Sequence, residues 1–395
     1  MEQPVEAAGQ SRQGSTMPLV FLFIAARLVI NATYRMIYPF LRAFSTGMGV
    51  PLEVALLPLS GRSFVGMFGP LLAPVADRFG RKVGMLLGLG IYTVGVGLVA
   101  VWPSFSAFFV ALVLANLGNQ VFLPAMQAYL GDRIPYRRRG RVLALTELSW
   151  SLSFILLVPL MGVLIARLGW TAPFWVLTAL GLLVFAWLAW RVPADRVVKP
   201  GQPPALWRNL QQVLTSPAAW VALSFGLLIT LANEVVNVVF GVWMGDAFGL
   251  DIAALGLAAT MIGLAELGGE GATAILVDRI GKKRAVGIGL ALTSLASLGL
   301  PWLGQNVWGG LTGLFFFYLG FEFTLVSYIP VMTEVMPQSR ATLMAANLAA
   351  FSLGRALGAP AGLWLYTFGF GVNASIALAL NGLALLALMR VRVEE

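Results

Sequence analysis

The sequence predicts an all-α membrane protein of twelve transmembrane helices, arranged as two pseudo-symmetric six-helix bundles. Three observations predict it. Hydrophobic residues make up 59% of the 395 and charged residues only 11%, where a soluble domain carries about 25% charge to wet its surface. Apolar runs of roughly 20 residues, the length a helix needs to cross about 30 Å of hydrocarbon, recur twelve times. Finally, the string Asp77-Arg78-Phe79-Gly80-Arg81-Lys82 returns as Asp278-Arg279-Ile280-Gly281-Lys282-Lys283, 201 positions later. Self-similarity at half the chain length, in a membrane protein, points to duplicated halves with a site between them.

The spans read, in order, 18–41, 52–76, 83–102, 105–130, 142–167, 173–191, 217–244, 253–277, 285–303, 308–335, 342–368 and 372–391. They are continuous and lack the period-2 alternation of barrel strands, so they are helices. Of 26 Lys and Arg, only Arg42 and Arg167 fall in loops on the side remote from the termini, while Arg133, Arg137, Arg138, Arg139 and Arg141 crowd one loop on the terminal side. That bias predicts both termini in the cytoplasm. The net charge of +9 is then a topology signal and a lipid-headgroup contact, and no nucleic-acid partner is expected.

Between spans 6 and 7 a stretch from about 192 to 216 carries Pro193, Pro200, Pro203 and Pro204, a semi-rigid spacer dividing residues 1–191 from 217–395. Its Leu206-Trp207-Arg208-Asn209-Leu210 segment reads as an amphipathic helix at the inner surface. The duplication extends further: Pro135-Tyr136-Arg137-Arg138 matches Pro337-Gln338-Ser339-Arg340, and Pro159 in span 5 matches Pro360 in span 11.

Several functions are disfavoured. There is no Cys and no His, which removes thiol chemistry and the usual proton-transfer side chain. No Gly-rich phosphate loop of the Walker type is present, so neither ATP coupling nor an enzyme is expected. No metal or cofactor is expected. Residues 1–16 are polar and lack the apolar region of a cleaved signal peptide. Any proton coupling must use carboxylates.

The loop Asp77-Arg78-Phe79-Gly80-Arg81-Lys82 between spans 2 and 3 resembles the signature of the major facilitator superfamily, Gly-x-x-x-Asp-Arg-x-Gly-Arg-Lys, and its second copy sits between spans 8 and 9 as that resemblance requires. The leading Gly is replaced by Ala73 and Ala274, which still permits close helix approach. In physical terms, Asp77 and Asp278 can attract a helix N-terminus, Gly80 and Gly281 allow a turn with positive φ, and Arg78, Arg81, Lys82, Arg279 and Lys282 stay among anionic headgroups. The expectation is a conformational latch holding the halves together on the inner side. The plainer alternative is a tight turn with topology-setting charges.

Ionisable groups inside spans are costly and usually face a cavity or a partner. Arg27, Asn31, Tyr34, Arg35 and Tyr38 form one polar stripe along span 1, and Thr230, Asn233, Glu234 and Asn237 form another along span 7. Span 2 contributes Arg62, span 5 Glu147, span 8 Glu266 and Glu270 one turn apart, and span 11 Arg355. Spans 1, 4, 7 and 10 line the central cavity in the resembled family, which adds Asn116, Asn119 and Gln120 from span 4 and Tyr318 and Glu322 from span 10. These residues are expected to line a wet mid-membrane cavity for a small-molecule substrate and protons, with Glu234, Glu266 and Glu322 as proton carriers. The alternative is a set of structural ion pairs, with Arg62 and Arg355 as the first candidates for such pairing.

Gly354, Gly358 and Gly362 in span 11 predict close helix packing beside Pro360. Pro159-Leu160-Met161-Gly162 resembles a degraded Gly-Pro-x-x-Gly element of the family's antiporters, with Val158 in place of Gly, and the Arg that proton-coupled members often carry in span 4 is missing. Trp102, Trp170, Trp302 and Trp308 are placed at the outer interface and Trp190 and Trp207 at the inner one. Trp150, Tyr318 and Phe315-Phe316-Phe317 are candidates for an apolar pocket wall. The leading expectation is a monomeric secondary transporter of the plasma (inner) membrane, exporting amphipathic or drug-like molecules against protons. The runner-up is transport of an anionic or polar metabolite clamped by Arg27, Arg35 and Arg62.

Overall fold

A computed structural model of the chain describes residues 17–69, 80–134, 136–193 and 206–391. Among the described residues eleven helices are long and apolar enough to cross a membrane. The remaining span, 52–76, is seen as the helix Leu52–Gly66. The fold is therefore the all-α, two-bundle architecture that the sequence predicts.

Most observed spans agree with the expected ones to within four residues, but span 1 runs on to Met48, span 5 begins at Tyr136 and the helix seen for span 2 ends at Gly66, and spans 1, 5 and 7 are broken. Span 1 consists of Met17–Arg35 and Ile37–Met48, and Phe40 lies outside helical geometry. Pro39 supplies a cause, since it has no N–H for the fourth carbonyl back and its ring crowds that group. Span 7 breaks at the duplicated position, into Pro217–Asn237 and Phe240–Phe248, although it carries no proline there. Span 5 runs Tyr136–Glu147 and Ser149–Leu152, passes through a π-helical turn, Ser153–Leu157, and continues as Val158–Leu168. Pro159 lies just beyond that turn, and π turns commonly absorb such local mismatches at functional positions.

The broken segments bring the halves together. A Cβ added to Gly241, just past the break in span 7, would sit 2.5 Å from the Pro39 carbonyl oxygen, so this backbone-on-backbone contact requires glycine. Span 8 lies on span 5: added Cβ atoms at Gly256 and Gly263 would meet Pro159 Cα at 3.1 Å and the Ser151 carbonyl at 2.9 Å. Span 11 lies on span 2 in the pseudo-symmetric arrangement, with Gly66 against Ser352. At the outermost level Arg42 pairs with Asp246 at 2.8 Å, and the Tyr366 hydroxyl donates to the same carboxylate at 3.1 Å. Among the described residues the close contacts between halves thus run through the middle and along the face remote from the termini, whereas Tyr136–Glu147 packs chiefly within its own half.

The helix Leu206–Thr215 docks on the second half. Val213 is buried, the Ser339 hydroxyl donates to Gln212 Oε1 at 2.7 Å, and Trp220 Nε1 donates to the Leu214 carbonyl. The glycine stripe of span 11 packs on span 7: added Cβ atoms at Gly358 and Gly362 would fall within 3 Å of Glu234 and of Val235 and Val238.

Candidate functional site

A cavity of about 150 Å³ lies between the halves. The first half walls it with Tyr34, Arg35 and Tyr38 from span 1, Arg62 and Ser63 from span 2, Asn116 and Asn119 from span 4, and Trp150 and Phe154 from span 5. The second half adds Asn233 and Asn237 from span 7, Glu266 from span 8, Tyr318, Phe321, Glu322 and Leu325 from span 10, and Arg355 from span 11. Twelve of the residues expected at a cavity are therefore gathered on one wall.

Two polar chains run across it. Arg35 makes an ion pair with Glu266, joining span 1 to span 8. The Arg35 guanidinium lies 3.6 Å from the Phe154 ring centroid and 4.2 Å from that of Trp150, so span 5 holds the cation by its aromatic faces. In the second chain Arg62 Nη2 donates to the Tyr38 hydroxyl at 3.0 Å, and that hydroxyl donates to Glu234 Oε1 at 3.1 Å. The Tyr318 hydroxyl donates to Asn237 Oδ1 at 2.8 Å, and Asn237 Nδ2 reaches Glu234 Oε2 at 3.5 Å. Glu234 thus collects bonds from spans 1 and 7 behind the cavity wall.

Six other sequence candidates lie off the wall, each held by a partner that single-sequence periodicity does not reveal. Arg27 forms a two-oxygen ion pair with Glu147, at 2.7 and 2.8 Å, and also donates to the Thr146 carbonyl at 3.0 Å. Asn31 donates to Ser149 Oγ, Gln120 to the Gly66 carbonyl, and Ser151 donates to Glu270. Glu234 is the sixth. Ion pairing does occur, but in a different place from the one the sequence suggests: Arg27 and Arg35 take carboxylates, while neither Arg62 nor Arg355 does so among the described residues. Among the described residues no cluster of three or more acidic side chains could hold a metal ion.

The architecture has relatives. The family model described as Major Facilitator Superfamily matches residues 19–233 and again 222–395. The chain belongs to the major facilitator superfamily. An uncharacterized MFS-type transporter, YwfA of Bacillus subtilis (strain 168), is 31% identical over 330 residues, covering 81% of this chain and 78% of that protein. Among solved structures, a peptide transporter POT in complex with sulfate superposes with a TM-score of 0.79 at 15% identity, covering 94% of each chain. A POT family transporter in complex with 5-aminolevulinic acid gives 0.76 at 12% identity, covering 94% of this chain and 95% of the other. At such identities the likeness shows the fold.

The superfamily signature can be followed in both copies from its glycine onward; Asp77 and Arg78 lie outside the described residues. Gly80 and Gly281 both have positive φ, 95° and 89°. After each glycine the first cation reaches a carboxylate at the end of the fourth span of its half: Arg81 lies 3.5 Å from Asp132, and Lys282 pairs with Glu334. The second cation donates to carbonyls that end the sixth span, Lys82 to Ala189 at 2.7 Å and Lys283 to Val391 at 2.8 Å, where the helix dipole favours positive charge. Asp278 and Arg279 are exposed. The described part of each copy therefore braces its own half.

Four wall residues escaped the sequence reading: Ser63, Phe154, Phe321 and Leu325. Helical spacing could have found the last three, since Phe154 follows Trp150 by four, and Phe321 and Leu325 follow Tyr318 by three and seven. The Phe315-Phe316-Phe317 triplet lies elsewhere, with Phe316 exposed and Phe317 buried in the core. Only Trp150 and Tyr318 of the proposed aromatic wall reach the cavity.

Proposed function

We propose that this membrane transporter is a secondary carrier that works by alternating access, moving a small polar solute with an anionic group and coupling it to protons. The observation that carries the reading is the shared wall: charged side chains of both halves face one common space, so rocking one half on the other would change the side from which that space is reached. Glu322 and Glu266 on the wall, with Glu234 behind it, are the proton-carrying candidates, because they are the buried carboxylates of the second half nearest the space between the halves. The carrier would act as a monomer in the plasma membrane with both termini cytoplasmic, residues 1–191 and 217–395 moving as two bodies and 192–216 joining them. It would perform no enzymatic step.

The volume bears on the substrate. Sites for drug-sized ligands enclose about 300–1,000 Å³, and this cavity holds half of the lower figure. Proton-coupled efflux of amphipathic molecules is the second reading, favoured by Trp150, Phe154, Phe321 and Leu325 on the wall. Proteoliposomes with an imposed pH gradient separate the two. Uptake of a labelled organic acid that collapses with a protonophore and is lost in Glu322→Gln supports the first. Dye accumulation in inverted vesicles with no competition from organic acids supports the second. Gradient-independent flux would refute proton coupling.

A further inference from the structure

Within the cavity, charge compensation is incomplete in a patterned way. Arg35 and Glu266 form an ion pair, with Arg35 Nε left unpartnered. Arg62 does not share in this: Nη2 donates to Tyr38, Nη1 has no hydrogen-bond partner, and the side chain is only 6% exposed. Across the cavity Glu322 is 5% exposed, its Oε2 is unpartnered, and it forms no ion pair among the described residues. Asn233 Nδ2, also on the wall and 6% exposed, is a further donor without an acceptor. An unpaired buried ion is unfavourable whichever sign it carries. Among the fully buried wall groups the cation without an ion pair belongs to the first half and the anion to the second, and both line the same space, whereas Arg355, the other wall cation without an ion pair among the described residues, is only half-buried.

We propose that the solute is a small zwitterion of amino-acid size, its carboxylate held by Arg62 with help from Asn233 and its ammonium group held by Glu322. This rests on the transporter reading given above and narrows its substrate class. A guanidinium presents two parallel donors to a carboxylate, and a carboxylate accepts readily from an ammonium group. Size agrees, because an apolar cavity of about 150 Å³ takes up benzene, which sets the solute at about six to eight non-hydrogen atoms. A simple organic anion would satisfy Arg62 and leave Glu322 to a proton alone, and an amine would satisfy Glu322 and leave Arg62 bare. Only a solute with both charges completes the pairing between span 2 and span 10, so selection follows from the buried groups that a one-charged analogue leaves unmatched.

The test uses the full-length protein, purified and in proteoliposomes. Alanine, β-alanine and γ-aminobutyrate are compared with their N-acetyl derivatives and their amides, by thermal stabilisation and by competition for counterflow. At least one zwitterion is expected to bind, with both of its one-charge analogues weaker by tenfold or more. Arg62→Gln is expected to erase the preference for acid over amide while keeping that for amine over N-acetyl, and Glu322→Gln to do the converse. Should either glutamine variant fail to fold, Arg62→Lys and Glu322→Asp must keep the wild-type order of preference with weakened affinity. Zwitterions that bind no better than their analogues, or none that bind at all, would overturn the assignment. Flux of an organic anion or dye without any zwitterion preference would do so while leaving the transporter intact. Zwitterion binding without flux would instead defeat the transporter reading and spare the site.

Discussion

Tyr38 touches both halves with a single oxygen, accepting from Arg62 and donating to Glu234. Removing the hydroxyl in Tyr38→Phe leaves a buried guanidinium and a buried carboxylate each short of a partner, at a cost of about 1–3 kcal/mol. The expected result is a lower unfolding temperature together with reduced transport; an unchanged unfolding temperature would show that the oxygen is dispensable. Glu147 gives the contrast. Its side chain is 48% exposed, is bound to the buried Arg27 within one half and lies off the cavity wall. Glu147→Gln should keep transport within about twofold of wild type, whereas Glu322→Gln should abolish transport driven by a pH gradient. Most of the wall was legible in the sequence because polar side chains at helical spacing stand out against apolar spans. Glu147 and Glu270 stood out equally, and their partners Arg27 and Ser151 lie 120 and 119 positions away, a separation that periodicity does not carry.

At the level of elements, every span could be placed from hydropathy, because crossing hydrocarbon demands a long apolar helix and little else does. The break in span 1 had a signal in Pro39. The matching break in span 7 had none, and its position follows from packing: Gly241 lies on the backbone of Pro39 and Tyr38. The regular glycines of span 11 foretold a close partner without naming it, and the partner is span 7. A Cβ at Gly358 would come 2.6 Å from Glu234 Cβ, so Gly358→Val must push the two helices apart or displace Glu234 from Tyr38. Overpacking of this kind costs about 1–3 kcal/mol, and the variant should unfold at lower temperature and transport less. Gly382 in span 12 has nothing within 4 Å of an added Cβ, and Gly382→Val serves as the neutral control. Equal stability of the two variants would mean that the contact between spans 7 and 11 yields more easily than its geometry implies.

For the whole molecule, the duplicated halves meet along the face remote from the termini, where Arg42 and Asp246 form an exposed pair at 2.8 Å. Half-chain duplication was visible in the sequence as the repeated charged loop, but the state in which the halves rest was not, since one sequence encodes every state of the cycle. Alternating access requires the remote face to open, and opening must part Arg42 from Asp246. The chain contains no Cys, so thiols can be introduced without background. Arg42→Cys/Asp246→Cys, joined by a short, cleavable bifunctional thiol reagent, should lose transport on cross-linking and regain it on reduction, while each single variant treated alike should keep it. The uncross-linked double variant should retain most of its stability, because an exposed ion pair contributes only about 0–1 kcal/mol. Full transport by the cross-linked protein would mean that solute crosses without separation of the halves on this side, and rocking about the shared cavity would no longer describe the carrier.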